Sequence, residues 1–337
     1  MIAQVTAKKV VNDQEIIEYC LKNEHLEVRF LNVGGAITKI ALAEEGYDKN
    51  LVLNYENLED YLVNDCYLNV LVGRTANRIV NGEFVLAGKK FQVDINSAPH
   101  NLHGGHQCLS NAFFEVVAVE DGYLLQTQLL HQEAGFPGNL QVKVYYRLVA
   151  NQLRIVYEAT TDLTTIVNLT QHAYFNLSGN LERTIYDHDL KIASGAVAEV
   201  DATSGFTGQL VPVAGTRFDF NALTTIDPTT KPAHYLFDNT GGYDHLYILD
   251  PQALTPVIFQ DPASGRSLKI TTTEPAMQFY AGNFITSELT FENGRAGVAN
   301  LGACFETHKI PYDYASQILT PDDLYHQETT FEFCIKK

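Results

Sequence analysis

Cysteine is scarce in this sequence and poorly placed for bridging. The five residues Cys20, Cys66, Cys108, Cys304 and Cys334 are odd in number, widely spaced and form no C-x-x-C pair. That argues against a disulfide frame or a thiolate zinc site, and predicts free thiols in a reducing cytoplasm. No run of 18 apolar residues occurs, so nothing is suited to cross a bilayer as a helix, and the segment from Met1 to Glu15 lacks the apolar stretch of a secretory signal. Positive charge is also in short supply: 23 Lys and Arg stand against 40 Asp and Glu, a formal net charge of −17. With no block of basic residues to overcome that repulsion, nucleic acid and anionic membranes are poor partners, and a neutral or cationic small molecule or a neutral polymer is a better one.

Several common site patterns are missing as well. There is no G-x-S-x-G elbow and no H-E-x-x-H helix, and the nearest approach to a phosphate loop, Gly82 to Lys90, has the wrong spacing. No proline-rich or Gly/Ser-rich linker and no fixed-period repeat divides the chain, which is read as one domain over residues 1–337.

What the sequence does have is 18 Phe, 18 Tyr and many hairpin signals. From Arg78 to Val93, alternating residues surround Asn81-Gly82 and then Ala87-Gly88, which predicts two successive hairpins with turns that need positive φ. Phe113–Val119 with Tyr123–Leu130 around Asp121-Gly122, and Leu140–Leu148 with Gln152–Thr160 around Ala150-Asn151, repeat the pattern. Thr329 to Ile335 reads as a closing strand. Helical spacing is confined to short stretches, the best being Tyr55 to Val63, where Leu58, Tyr61 and Leu62 share a face. The expected fold is all-β: a large antiparallel β-sandwich with few short helices.

Short polar segments interrupt these apolar strands. They include Gly73-Arg74-Thr75-Ala76-Asn77-Arg78-Ile79, Leu102-His103-Gly104-Gly105, His172-Ala173-Tyr174-Phe175-Asn176-Leu177, Tyr243-Asp244-His245, Gln278-Phe279-Tyr280 and Cys304-Phe305-Glu306-Thr307. Each sets an ionisable group where its neighbours predict burial, and buried ionisable groups need a reason. Structural reasons exist for each one singly. His172 fits a satisfied core histidine, His103 a turn residue, Arg78 with Asp244 a buried ion pair, and Glu306 an inner strand residue paired with a lysine. A zinc site from His103, His106 and His172 is disfavoured by the Gly-Gly between the first two. Asp244 and Glu306 would serve a glycosidase, which leaves both histidines unexplained.

Taken together and in this order, from about Asn12 to Lys336, these motifs resemble the aldose 1-epimerase family. The resemblance implies the mutarotase β-sandwich with a sugar cleft on one sheet. It implies Glu306 as catalytic base and His172 as catalytic acid, His103 beside the ring oxygen, and Asn77, Arg78, Asp244, Gln278 and Tyr280 around the sugar. Arg74 aligns with the motif but receives no contact. After Glu306 the chain reads Thr307-His308-Lys309-Ile310-Pro311, where family members often have a glutamine and a Pro-Asp pair, which implies a different rim on one side of the cleft. The implied reaction interconverts the α and β anomers of a free aldohexose such as galactose or glucose. It needs a base at the anomeric hydroxyl, an acid at the ring oxygen, and no redox, group-transfer or metal cofactor. For that direction of transfer His172 must be protonated and Glu306 ionised, and sequence leaves open whether burial or the nearby carboxylate sets the histidine. The alternatives are a phosphorylated-hexose mutarotase, which would want more basic residues than Arg74 and Arg78, a non-catalytic carbohydrate-binding protein, and a glycosidase.

Overall fold

The computed structural model describes residues 2–336. Its strands build two large antiparallel sheets. One has nine strands, running in space from Glu115–Val119 through Gly122–Leu129, Leu140–Val149, Gln152–Thr161, Tyr325–Ile335, Arg266–Thr272, Val257–Gln260 and Asp189–Ile192 to Thr224–Thr225. The other has six: Tyr174–Phe175, Ala303–His308, Ala276–Tyr280, Asp244–Leu249, Ser194–Val200 and Phe206–Pro212. Aromatic side chains fill the space between them. Phe305 and Phe279 of the six-stranded sheet stack with ring centres 5.5 Å apart, and Phe305 also meets Phe259 of the opposite sheet at 5.1 Å. Sheet-on-sheet packing of this kind is what the alternation in each strand demands, since each strand offers an apolar residue inward at every second position.

A further four-stranded sheet, Ile2–Val11, Gln14–Lys22, Leu26–Leu31 and Ile37–Leu42, sits at the end where the nine-stranded sheet starts. Phe30 ties it there by edge contacts with Tyr123 and Tyr146. The only α-helices among the described residues are Tyr235–Asn239 and Tyr314–Gln317, and the predicted helix near Tyr55 to Val63 is a 3₁₀ segment from Leu58 to Val63. The all-β sandwich with few short helices is the observed fold.

Of the expected hairpins, three form. Leu86 pairs with Lys89 across Ala87-Gly88 and Val149 with Gln152 across Ala150-Asn151, as read; the strands Glu115–Val119 and Gly122–Leu129 turn one residue earlier, at Glu120-Asp121. The hairpin expected at Asn81-Gly82 does not form. Both residues have the positive φ that a type I′ turn needs, 55° and 63°, but they belong to a 3₁₀ turn, Val80–Gly82. The preceding Arg78–Ile79 pairs instead with Asn101–Leu102. Positive φ is necessary for such a turn and does not by itself choose the partner strand. This correction matters because the alternative pairing is what brings Arg78 beside His103.

Candidate active site

Pleat geometry sorts the strand Ala303–His308 into two sides. Phe305 and Thr307 enter the sandwich, where the Thr307 hydroxyl meets that of Thr329 at 2.6 Å. Cys304 and Glu306 therefore project from the opposite face. On the neighbouring strand Ala276–Tyr280 the same alternation sends Phe279 inward and Gln278 and Tyr280 outward, with Gln278 directly across from Glu306 in the ladder. Asp244, opposite Tyr280, starts the next strand. Three adjacent strands thus form the floor of one cleft.

Short cross-paired segments lie over that floor. Thr170–Gln171 pairs with Leu71–Val72 and delivers His172, and Arg78–Ile79 pairs with Asn101–Leu102 and sets Asn77 and Arg78 next to His103. Asn77 and His103 both adopt left-handed backbone, φ 64° and 54°, and bind each other twice: the His103 amide donates to the Asn77 carbonyl at 3.1 Å, and the Asn77 amide donates to His103 Nδ1 at 3.2 Å. Gly104 explains the His-Gly-Gly sequence, because a Cβ there would stand 2.5 Å from the Gly73 carbonyl oxygen, and its own φ is +92°.

The result is a cavity of about 380 Å³. All eight residues predicted from sequence line it: Asn77, Arg78, His103, His172, Asp244, Gln278, Tyr280 and Glu306. At its base His172 Nε2 lies 3.5 Å from Glu306 Oε1. Glu306 Oε2 and Arg78 Nε have no hydrogen-bond partner within the protein. A buried polar atom left open costs stability, so its survival here suits a site that receives a polar ligand. The Tyr280 hydroxyl accepts from the Phe284 amide at 3.0 Å, which fixes its ring on the cleft wall. Asp244 makes no ion pair with Arg78; it accepts from Gln278 Nε2 at 2.6 Å, while Gln278 Oε1 accepts from Asn77 Nδ2 at 2.9 Å. The side chains of Asn77 and Gln278 are thus largely engaged with their neighbours, leaving Asp244 and Arg78 as the free anchors. Glu306 has no lysine partner; the group facing it is His172.

Burial dominates the ionisation of the pair. The His172 imidazole is pushed down to about 4 by loss of solvent. The Glu306 carboxyl is held well above its ordinary range, first by burial and then by the Asp244 carboxylate, with Arg78 opposing. Burial therefore favours neutral imidazole and protonated carboxyl, the reverse of the charged pair required from sequence, and outweighs the nearby carboxylate. His103 is likewise held well below its usual value, by burial and then by His172, Arg78 and His308.

Three histidine and carboxylate ligand atoms, from His103, His172 and Glu306, lie within 4.8 Å of one another. Donor sense argues against a metal there. The Asn77 amide can only donate, so His103 Nδ1 is its acceptor and the neutral ring carries its proton on Nε2, leaving a donor rather than a lone pair for the cleft. His106, the third histidine weighed from sequence, is exposed and pairs with Asp94 at 3.2 Å. Arg74 is fully buried away from the cleft. Its guanidinium donates to the carbonyls of Pro137, Gly138, Leu129 and Leu130 and to the Thr165 hydroxyl, and burial lowers its pKa to about 10. The segment after Glu306 lies off the cleft: no residue from 307 to 317 lines it.

Sequence reasoning missed Val63, Asp65, Cys66 and Tyr67 on one side of the mouth and Phe284, Thr286, Glu288 and Leu289 on the other. Val63 ends the 3₁₀ segment Leu58–Val63, and the others come from irregular segments without periodicity. Phe284, in the same run as Gln278 and Tyr280, is a large exposed aromatic beside a polar motif, and was the one available signal.

The family model described as aldose 1-epimerase matches residues 18–332. A mouse (Mus musculus) protein described as galactose mutarotase is 34% identical over 327 residues, covering 94% of each chain. The aldose 1-epimerase of Haemophilus influenzae is 29% identical, covering 93% of this chain and 94% of that one. Among solved structures, the GalM/aldose epimerase homologue from C. elegans superposes with a TM-score of 0.86 at 26% identity, over 98% of this chain and 100% of that one.

Proposed function

The chain belongs to the aldose 1-epimerase family, and from that premise we propose that it interconverts the α and β anomers of free aldohexoses, with galactose or glucose as first substrates. The observation that carries this reading is the 3.5 Å approach of His172 Nε2 to Glu306 Oε1 at the base of a cleft walled by Asp244 and Arg78. In the reading, Glu306 removes the proton of the anomeric hydroxyl, His172 gives its Nε2 proton to the ring oxygen, and the bond between C1 and that oxygen breaks. The aldehyde rotates about C1–C2, and closure runs both transfers backwards. His103 supplies a donor near the ring oxygen, and Asp244 and Arg78 hold the remaining hydroxyls while C1 stays free.

The protonation directions fit this cycle. Protonated carboxyl with neutral imidazole has the same proton count as carboxylate with imidazolium, so the two forms differ only by where one proton sits. The first form is the one present at the open-chain stage. Burial that favours it stabilises the open-chain stage relative to the ring form that carries the charged pair. Activity then needs one proton on the pair. Below about 4 a second proton adds to His172 and no base is left; above the raised Glu306 value the shared proton leaves and no acid is left. A bell-shaped dependence of kcat/KM follows, measurable from pH 3.5 to 10 after subtracting the uncatalysed rate. A profile with no alkaline limb would remove the shared proton from the mechanism.

A phosphorylated sugar is a weaker fit, because among the described residues Arg78 is the sole Lys or Arg lining the cleft, with Arg74 turned away, while Asp65, Asp244, Glu288 and Glu306 are all there. The whole chain is taken as one catalytic domain, a reading supported by the span of the family match. No helix among the described residues is long and apolar enough to cross a membrane, and all five cysteines are unbridged, which supports a cytoplasmic location. The deciding experiment is polarimetry of freshly dissolved α-D-galactose with EDTA and no cofactor. Faster relaxation to an unchanged final rotation supports the reading, and no acceleration with galactose, glucose or arabinose would overturn it.

A further inference from the structure

His172 is gripped at both ring nitrogens by one strand. Glu306 faces Nε2 at 3.5 Å, and Cys304, two residues earlier on the same side of the strand, places its Sγ 3.5 Å from Nδ1. Cys304 is fully buried, and His172 is its only polar side-chain partner among the described residues. A small apolar residue would fill that position equally well if packing were its whole purpose. We propose that Cys304 is a positioning residue for the reaction, whose thiol orients the His172 imidazole and serves it in both of its protonation states.

The chemistry of the partner is the reason. A thiol is both a weak donor and a weak acceptor. When His172 has given its Nε2 proton to the ring oxygen, the neutral ring keeps its proton on Nδ1 and the sulfur accepts from it. When His172 is imidazolium the same Nδ1–H is present and the sulfur still accepts from it. No charge is created on either side. A carboxylate at this place would hold the ring as imidazolium, whereas an uncharged acceptor keeps a proton on Nδ1 and leaves Nε2 to give and take the proton that moves. Mutarotation sends the Nε2 proton of His172 to the ring oxygen and back within each turnover, so an uncharged partner that holds Nδ1–H throughout tilts neither half of the cycle. The other groups around the ring are His103 with its centre 5.4 Å away, Tyr174 at 5.0 Å, and Tyr67 and Tyr280 at 6.2 Å. Of the structure's hydrogen bonds, none joins these four to His172, so Cys304 is left as the partner that sets its rotation.

The inference rests on the mutarotase reading, and its test separates the two. Cys304→Ser keeps a group that donates and accepts; Cys304→Ala and Cys304→Val remove it, the second with less lost volume. Expected in polarimetry with galactose are a kcat within about 3-fold of wild type for Cys304→Ser and at least about 10-fold lower for both apolar variants, with KM within about 2-fold throughout. The acid limb of the pH profile should move to lower pH in the apolar variants, because a buried imidazolium with an unpartnered Nδ1–H is harder to form. Equal losses in all three variants, or apolar variants with wild-type kcat and pH profile, would overturn the proposal. ¹⁵N NMR of the histidine ring reads the Nδ1 contact without any turnover: His172 Nδ1 should shift in Cys304→Ala, and an unmoved signal counts against the contact even if the protein proves inactive on every sugar.

Discussion

The two sides of the strand Ala303–His308 obey different rules. Toward the sandwich, Phe305 is enclosed by Phe175, Phe259 and Phe279, and the Thr307 hydroxyl is bonded to Thr329. Toward the cleft, Glu306 keeps an unpartnered oxygen. Six residues with a repeat of two therefore carry stability on one side and chemistry on the other. The same division separates two arginines of one motif. Arg74 spends its guanidinium on four carbonyls and a hydroxyl, while Arg78, four residues on, reaches the cleft with Nε open. A buried polar group that is fully satisfied builds the fold, and one left open at a cavity waits for a ligand.

The comparison breaks most sharply at Glu306. Glu306→Gln keeps the shape of the side chain and removes the base, so kcat for galactose should fall about 10²- to 10⁴-fold, with a change in KM too small to account for it. Stability should move the other way with pH. A carboxyl whose folded pKa lies above its unfolded value contributes stability below the unfolded value, about 4.3, and loses it as pH rises through the raised one. Wild-type melting temperature should therefore decline across that window relative to Glu306→Gln, whose amide does not titrate. A variant retaining more than a tenth of wild-type kcat would move the base elsewhere.

Why the cleft was so legible and the arginines were not follows from the same physics. Glu306, His172 and Asp244 interrupt strands that are otherwise apolar, and such an interruption shows in the sequence. The residues at the cleft mouth, Cys66, Tyr67 and Leu289 among them, belong to irregular connections that have no period to break. Arg74 and Arg78 look alike in one dimension, because the acceptors that claim Arg74 come from Leu129, Pro137 and Thr165, far along the chain. The missed hairpin has a related cause: Asn81-Gly82 specifies a local conformation, and the pairing of Arg78–Ile79 with Asn101–Leu102 is decided by distant contacts.

Asp244 sharpens the contrast between anchors and supports. It is a free acceptor for sugar hydroxyls, with one oxygen held by Gln278 Nε2 at 2.6 Å. Asp244→Asn should weaken the charged hydrogen bonds to the sugar and lower kcat/KM for galactose about 10-fold or more, mainly through KM. Gln278→Ala removes the holder instead of the anchor and should cost less. A kcat/KM lower in Gln278→Ala than in Asp244→Asn would make the amide the true sugar contact and the carboxylate its support.

The smallest effect on catalysis is expected where the motif resemblance is closest and the geometry most distant. Arg74→Met removes a cation from a site where burial already lowers its pKa, but it strands the carbonyls of Pro137 and Gly138 and takes one of two donors from that of Leu130. Each buried acceptor left open costs about 1–3 kcal/mol, partly offset by relief of the buried charge, so a net loss of about 2–4 kcal/mol is expected. Calorimetry should register it as a melting temperature lower by roughly 3–6 °C. In the protein that remains folded, kcat/KM should stay within about 3-fold, because Arg74 touches nothing that lines the cleft except through the chain to Arg78. The informative contrary result is a stable Arg74→Met with kcat/KM reduced 100-fold. That would mean the guanidinium leaves its carbonyls when sugar binds, and the division between satisfied and waiting polar groups would then describe the empty cleft alone.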